Sequence, residues 1–322
     1  MYNLLEQPWL SVIYHNGVTA RISLIEALRN AHRLQIAYPN PMDRIAVLRF
    51  ILALSYWCHA NTQVDISITE SLPTEWCSWL VENQKYFDLF GTETRFMQTM
   101  GLKRVRPVTD LIHEVPSSTN HWHFRHVTDY IDGLCPSCCI LGILRLPVFT
   151  TIGGRGFSNG INGCPPIYSV WWESCLSSTL YANWAPTEEL GIPAWLMELD
   201  LRQNEEVMLL TGLTLAPRKL YLPDPNPTVK QCANCGSNEA LVYYCHLENN
   251  QIPDSVKWND PHVMKSNKDF NIKSNIGPLA SEKKAFLTRD WYRHMALLMQ
   301  NGSTIKSGNR LVVGFTSDQT IT

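Results

Sequence analysis

Two cysteine pairs carry the strongest chemical signal in the sequence, Cys135-Pro136-Ser137-Cys138 and Cys232-Ala233-Asn234-Cys235. A CxxC turn presents two thiolates to one tetrahedral cation, and two such turns close a structural zinc site that leaves no position for water. Gly236, directly after Cys235, suits a knuckle in which the backbone comes close to a metal-bound sulfur. With 93 residues between the pairs, one ion would staple two distant stretches of chain. Neither pair reads as the opening of a thioredoxin-like strand-to-helix turn, so redox chemistry is the weaker reading. Cys139 is left out of the ligand set, because it cannot easily share the geometry of its neighbour Cys138. Ten cysteines with no secretion signal in view point to a reducing, cytoplasmic setting, where paired cysteines hold metal more often than they form disulfides.

Residues 153–163, GGRGFSNGING, place five glycines in eleven positions. Such a backbone can take positive φ and approach a ligand closely. It lacks the GxxxxGK[ST] pattern of a phosphate loop. Two readings stand side by side: a backbone loop that enters the minor groove of DNA, where side chains would be too bulky, and a plain surface loop. A third segment, His121-Trp122-His123-Phe124-Arg125-His126, holds an HxH pair that could ligate metal on a strand. The nearest carboxylate is Asp129, so a polar and aromatic contact loop is the simpler reading. The sequence shows no HExxH helix, nucleophile elbow or tight acidic pair. A zinc-dependent nuclease or hydrolase, the alternative function, would have to use His121, His123 or His246 beside the cysteines.

The elements that must position these groups read as one α+β body over residues 1–322, with a four-cysteine zinc knuckle and irregular loops. Residues 9–14 are strand-like and Asn16-Gly17 is a strong hairpin turn. Ser23 can cap a helix over 24–32, and Asn40 with Pro41 opens a helix to about His59. Ile45, Leu48, Leu52 and Tyr56 fall on one side of it, and Val47, Ile51 and Leu54 widen the arc. Its apolar run over 45–57 is interrupted by Arg49, which marks a buried helix rather than a bilayer span. Further helices are expected over 73–86, 195–206 and 285–299, and a strand over 310–315. Residues 249–284 are expected as loops with short strands. Apolar residues make up 45% and charged ones 17%, a globular balance, with 11 tryptophans to bury. The net charge of -2 excludes a free-standing protein that grips DNA mainly by releasing counterions; a DNA reader of this charge would rely on basic partners.

Taken in order, six blocks resemble the large subunit, CasA, of the type I-E CRISPR surveillance complex Cascade. They are Asn3-Leu4-Leu5-Glu6-Gln7-Pro8-Trp9-Leu10; Phe96-Met97-Gln98-Thr99 with Gly101-Leu102-Lys103; Leu134-Cys135-Pro136-Ser137-Cys138; the glycine run from Gly153 to Gly163; Cys232-Ala233-Asn234-Cys235-Gly236; and Gly314-Phe315-Thr316-Ser317-Asp318-Gln319. The resemblance implies a non-catalytic subunit near the 5′ end of the guide. Such a subunit inspects double-stranded target DNA for the PAM, largely from the minor groove, and helps to part the strands so that the guide can pair. It implies that Gly153, Gly154 and Gly156 lie along the groove, with Arg155 as a contact, and that Gln319 inserts beside the PAM. It implies that His123, Phe124 and Arg125 belong to a loop that anchors the subunit in the complex. The family's lysine finger falls at Asn250, and the nearest lysine is Lys257. The implied partners are the other Cascade subunits, crRNA, target DNA and a helicase–nuclease recruited after strand opening, with structural zinc as cofactor and no membrane. The family's C-terminal four-helix bundle is expected to be absent, because the sequence ends three residues after Gln319.

Overall fold

The computed structural model describes residues 2–65, 71–112, 133–149, 160–162, 167–184, 189–199, 201–203, 206–253, 255–256, 258–263 and 309–314. The chain opens as the expected hairpin of β1 (Leu10–Tyr14) and β2 (Thr19–Ile22), with β3 (Leu34–Ile36) on the other edge of β1. Its turn uses Gly17 at φ +82°, whose N–H donates to the Tyr14 carbonyl at 2.8 Å. Between β2 and β3, α1 (Leu24–Arg29) starts at Ser23, whose hydroxyl accepts from the Glu26 N–H at 3.2 Å.

The centre of the molecule is α2 (Pro41–Thr62). Asn40 caps it, accepting from the Met42 N–H at 2.8 Å, and Pro41 takes the first turn, where no backbone donor is needed. Every residue from Ile45 to Cys58 is buried, so the one-sided apolar arc of the sequence reading widens to the whole circumference. A helix apolar all round belongs in an interior. Around it pack α3 (Thr74–Glu82), α4 (Pro136–Arg145), α5 (Leu176–Ala182) and α6 (Leu209–Thr214). Phe50 of α2 lies 5.4 Å from the Phe96 ring and 5.9 Å from Trp195, and Trp57 joins the same aromatic group. The Phe-Met-Gln-Thr block is thus a structural latch. Phe96 fills the core, and Gln98 donates to the Leu89 carbonyl and accepts from the Leu222 N–H, both at 2.8 Å.

Three further antiparallel sheets are formed among the described residues. A three-stranded sheet has the order β4 (Val105–Pro107), β9 (Tyr244–Asn249), β6 (Arg218–Tyr221). β7 (Asn226–Gln231) and β8 (Asn238–Leu241) form a hairpin, and β5 (Ile167–Trp172) pairs with β10 (Asn309–Gly314). The expected helix over 195–206 is corrected. Residues 194–196 form a turn in which the Leu196 N–H bonds the Pro193 carbonyl, and the helix comes later, as α6. Burial of Trp195 among Phe50, Trp57 and Phe87 overrides local propensity there. The helix over 73–86 ends at Glu82 and gives way to a 3-10 turn. The helix expected over 285–299 lies outside the described residues. Among the described residues no helix is long and apolar enough to cross a membrane.

Two of the buried arginines are paired with carboxylates, which offset the high cost of placing a charge in a protein interior. Arg145 of α4 is paired through Nε and Nη2 with Asp43 of α2, the Nη2–Oδ2 contact at 2.8 Å. Arg49, with no exposure, forks onto Asp260 through two 2.8 Å bonds, and its Nη1 also donates to His262 Nδ1 at 3.0 Å. Burial, followed by the Arg49 charge, pushes the His262 pKa down from 6.5 to about 4, against the opposing pull of Asp260.

His262 is therefore held neutral when folded. Between pH 6.5 and about 4 the unfolded chain takes up a proton that the folded chain does not, so stability falls as pH is lowered through that window. The loss should reach roughly 3 kcal/mol. Denaturant titrations of the parent and of His262→Asn at pH 7 and pH 4 check this: the variant should show a clearly shallower acid loss, and parallel profiles would exclude His262 as the cause.

Candidate functional site

The first cysteine pair reaches its place through a backbone zip. Leu134 and Val242 exchange two N–H···O bonds of 2.8 and 2.9 Å, and the Gly133 carbonyl accepts from the Ala233 N–H at 3.1 Å. A side chain at position 133 would not fit, since a Cβ there would stand 2.4 Å from the Val242 carbonyl oxygen. Cys135 then becomes the residue before α4, and Cys138 lies in its first turn. The first pair thus opens a helix, entered from an isolated bridge rather than from the strand of a thioredoxin-like turn. The entry to α4 is made by a bridge to a segment about a hundred residues away, which local patterning does not carry. The second pair occupies the loop that joins β7 to β8. There the Cys232 N–H donates to the Ser237 carbonyl at 2.8 Å and the Gly236 N–H to the Cys232 carbonyl at 3.0 Å. Gly236 holds φ +74°, the left-handed turn that glycine is needed for.

The four sulfurs of Cys135, Cys138, Cys232 and Cys235 all lie within 4.8 Å of one another, and those of Cys135 and Cys235 are 3.6 Å apart. A tetrahedron with metal–sulfur bonds of about 2.3 Å has sulfurs about 3.8 Å apart, so the donor set fits one four-coordinate cation. Cys135, Cys138 and Cys232 are buried, while Cys235 is exposed. Hydrogen bonds to sulfur favour the thiolate form: the Cys135 N–H donates to Cys232 Sγ and Asn234 Nδ2 to Cys138 Sγ, each at 3.3 Å. Hydrogen bonds from Cys135 and Cys138 draw the Cys232 thiol down to about 6, and the same thiols hold Cys235 far lower. Cys138 is correspondingly pushed up, first by its bond with Cys135. Nearby, burial opposes the charge on Arg21, but a hydrogen bond and the negative potential of Cys235 outweigh it. Cys139 stays outside the group, its thiol turned to the Leu134 carbonyl at 3.9 Å.

The other site residues divide between those described and those beyond the described part. His246 packs edge-on between Tyr221 and Tyr244, with centroids at 5.7 and 5.9 Å, and joins no metal-holding group. Among the described residues the four cysteines are the one such group. Asn250 is tied to the backbone, its amide donating to the Ala216 carbonyl at 2.9 Å. It lines a cleft of about 210 Å³ with Met97, Trp195, Arg218 and Lys219. Gly153, Gly154, Arg155, Gly156, His123, Phe124, Arg125 and Gln319 lie outside the described residues, as do His121 and Lys257. The frame that carries two of these segments is described. Gly314, where β10 ends, is paired with Ile167, where β5 begins, so the segments on either side of that pair leave from one end of the ribbon. Sequence reasoning missed Asp260, His262 and Asn162 as a group with Arg49. The only advance signal was a lone arginine within an apolar helical run.

Fold and cysteine cluster define a mixed helix-and-sheet protein whose distant segments are joined at a thiol knuckle. The chain belongs to the CRISPR-associated protein Cse1 family, whose family model matches residues 3–314. Its structure is similar to that of CasA from Thermus thermophilus, with a TM-score of 0.61 at 18% identity over 84% of this chain and 59% of that one. It is similar to Cse1 from Acidimicrobium ferrooxidans, with 0.60 at 18% identity over 80% and 52%. It is also similar to a chain of a CRISPR RNA-guided surveillance complex in a pre-nicking state, with 0.60 at 16% identity over 83% and 59%. The chain thus spans less than two thirds of the length of these structures, and at such identities the likeness is one of fold. No curated protein matches the chain in sequence.

The cluster predicts about one metal ion per chain by elemental analysis. Cys135→Ser should lose the ion and lower the unfolding temperature, because ligand binding to the folded state alone adds to its stability. A metal-free chain with the parental unfolding temperature would eliminate the site.

Proposed function

We propose that the protein is the PAM-recognising large subunit of a crRNA-guided type I-E Cascade complex, which binds target DNA and starts its unwinding without catalysing any reaction. Membership of the Cse1 family and likeness to chains of RNA-guided surveillance complexes support the assembly with crRNA and the other Cascade subunits. The single observation that carries the DNA reading is the β5–β10 ribbon. Gly163 precedes Ile167 by four residues and Gln319 follows Gly314 by five. Chain of that length reaches at most roughly 14 and 18 Å, so the glycine run and Gln319 are tethered to one end of one ribbon. A backbone that enters the minor groove and an amide that parts the adjoining base pair must act on neighbouring steps of the duplex, and a shared tether supplies that proximity.

On this reading Gly153, Gly154 and Gly156 bring backbone into the groove, Arg155 answers its negative potential, and Asn250 takes the place of the family's lysine finger with a neutral amide. His123, Phe124 and Arg125 anchor the subunit in the complex, and a helicase–nuclease acts on the opened DNA afterwards. The cysteine cluster holds zinc structurally, since four thiolates leave no open position for a catalytic water.

The test uses the assembled complex. Gly154→Val should weaken PAM-bearing duplex binding by about tenfold, roughly 1.4 kcal/mol, and leave crRNA assembly unchanged. Gln319→Ala should bind PAM duplex nearly as well as the parent, yet form R-loops more slowly on fully paired targets. Mismatches in the first pairs beside the PAM should largely restore its rate, since the opening cost of a few kcal/mol is then removed. Parental binding by the first variant and parental R-loop rates in the second would together refute the reading.

A further inference from the structure

Asp260 is the hub of a buried polar knot whose members come from four parts of the chain. Its carboxylate takes both Arg49 bonds from α2 at 2.8 Å, the His262 N–H at 2.9 Å, and the amide of Asn162 at 2.6 Å. The same Asn162 amide donates to the Tyr168 hydroxyl at 3.1 Å, and that hydroxyl donates to the Val148 carbonyl at 2.9 Å. The Arg49 guanidinium lies over the rings of Tyr168 and Trp258, 4.8 and 5.5 Å from their centroids. Trp258 is itself seated where Gly212 of α6 leaves room, since a Cβ there would stand 2.1 Å from the indole. β5 is held to the same segment, with the Ser169 N–H donating to the His262 carbonyl at 2.8 Å.

Asn162 is the next-to-last residue of the glycine run, and Tyr168 is the second residue of β5. The Asp260 carboxylate, itself fixed by a bidentate arginine from the central helix, therefore holds Asn162 on one side of the link from the glycine run into the ribbon, while the Asn162 amide and the Arg49 guanidinium contact Tyr168 on the other. A polar side chain that spends its donors on a buried carboxylate and a buried phenol fixes a backbone position; it is not available to a ligand.

We infer that Asn162, held by Asp260 and Tyr168, is a positioning residue that fixes the C-terminal end of the glycine run on the central helix, and through it the run's engagement of DNA. The DNA part of this rests on the function proposed above. The anchoring part does not.

Asn162→Ala is the clean probe, because it removes the grip while leaving Arg49 its carboxylate; Asp260→Asn would strand a buried guanidinium. In the assembled complex Asn162→Ala should weaken PAM-duplex binding about tenfold with the unfolding temperature and crRNA content unchanged. Combined with Gly154→Val it should add little, since both act through one loop. Limited trypsin treatment of the complex should cut after Arg155 several-fold faster in Asn162→Ala, with other sites unaffected. Parental DNA binding by Asn162→Ala beside a weakened Gly154→Val would overturn the inference, as would a large drop in unfolding temperature, which would make the residue merely structural. If Gly154→Val also binds normally, the glycine-run part of the proposed function falls and trypsin decides the anchoring alone: unchanged cleavage after Arg155 would sink it.

Discussion

A guanidinium in the middle of a helix with no solvent-facing side must be neutralised from elsewhere in the chain. Arg49 sits in that position, and the carboxylate that answers it comes 211 residues later. The need for this pair constrains much of the rest. Residues 258–263 must lie against α2, Gly212 must lack a side chain so that Trp258 can cover the cation, and Tyr168 must stand at the start of β5 to stack on it. A well-packed apolar pair of equal volume would often be as stable as a buried ion pair, so stability alone is a poor account of its presence. Direction is the better account: a bidentate fork accepts one orientation of its partner, and the segments around Asp260 inherit that orientation.

The cysteine cluster solves a related problem by different chemistry. The β7–β8 hairpin has an exposed first strand, all six residues of it, and little apolar surface with which to hold itself to the body. On the proposed reading, a metal ion held by the four thiols at its turn and at the start of α4 substitutes for that missing core. The entropic cost of closing so long a loop rises only slowly with length, so a single multivalent centre can fix segments 97 residues apart. Both closures join distant parts of the chain where a hydrophobic contact alone would leave angle and register loose.

Local rules were legible and long-range ones were not. Asn16-Gly17, Ser23, Asn40 and Pro41 announced their turn and caps because each works through bonds to residues two to four positions away. The CxxC pairs announced a four-thiol cluster because spacing within each pair is chemistry in itself. The helix wrongly expected over 195–206 failed because Trp195 is spent on an aromatic core assembled from other segments. The opening of α4 at Cys135 was hidden because its entry strand is a single bridge to Val242. Asp260, Asn162 and His262 are unremarkable in sequence, and only the oddity of Arg49 inside an apolar run hinted that partners existed.

The net charge of -2 places a further limit on how such a chain can meet DNA. Affinity for duplex through counterion release scales with the number of phosphates neutralised, and among the described cations Arg49, Arg95, Arg106, Arg145 and Lys219 are already paired with acids. On the proposed reading, the attraction that brings duplex to the complex must come from partners, and this subunit contributes discrimination at close range. Discrimination by backbone approach needs a loop that can fit the groove and ends that do not move, because any slack at the ends would blur the distance that the groove is being asked to match. On that reading the glycines of residues 153–163 supply the first requirement. On the same reading the Asp260 knot, locked to the central helix α2, supplies the second.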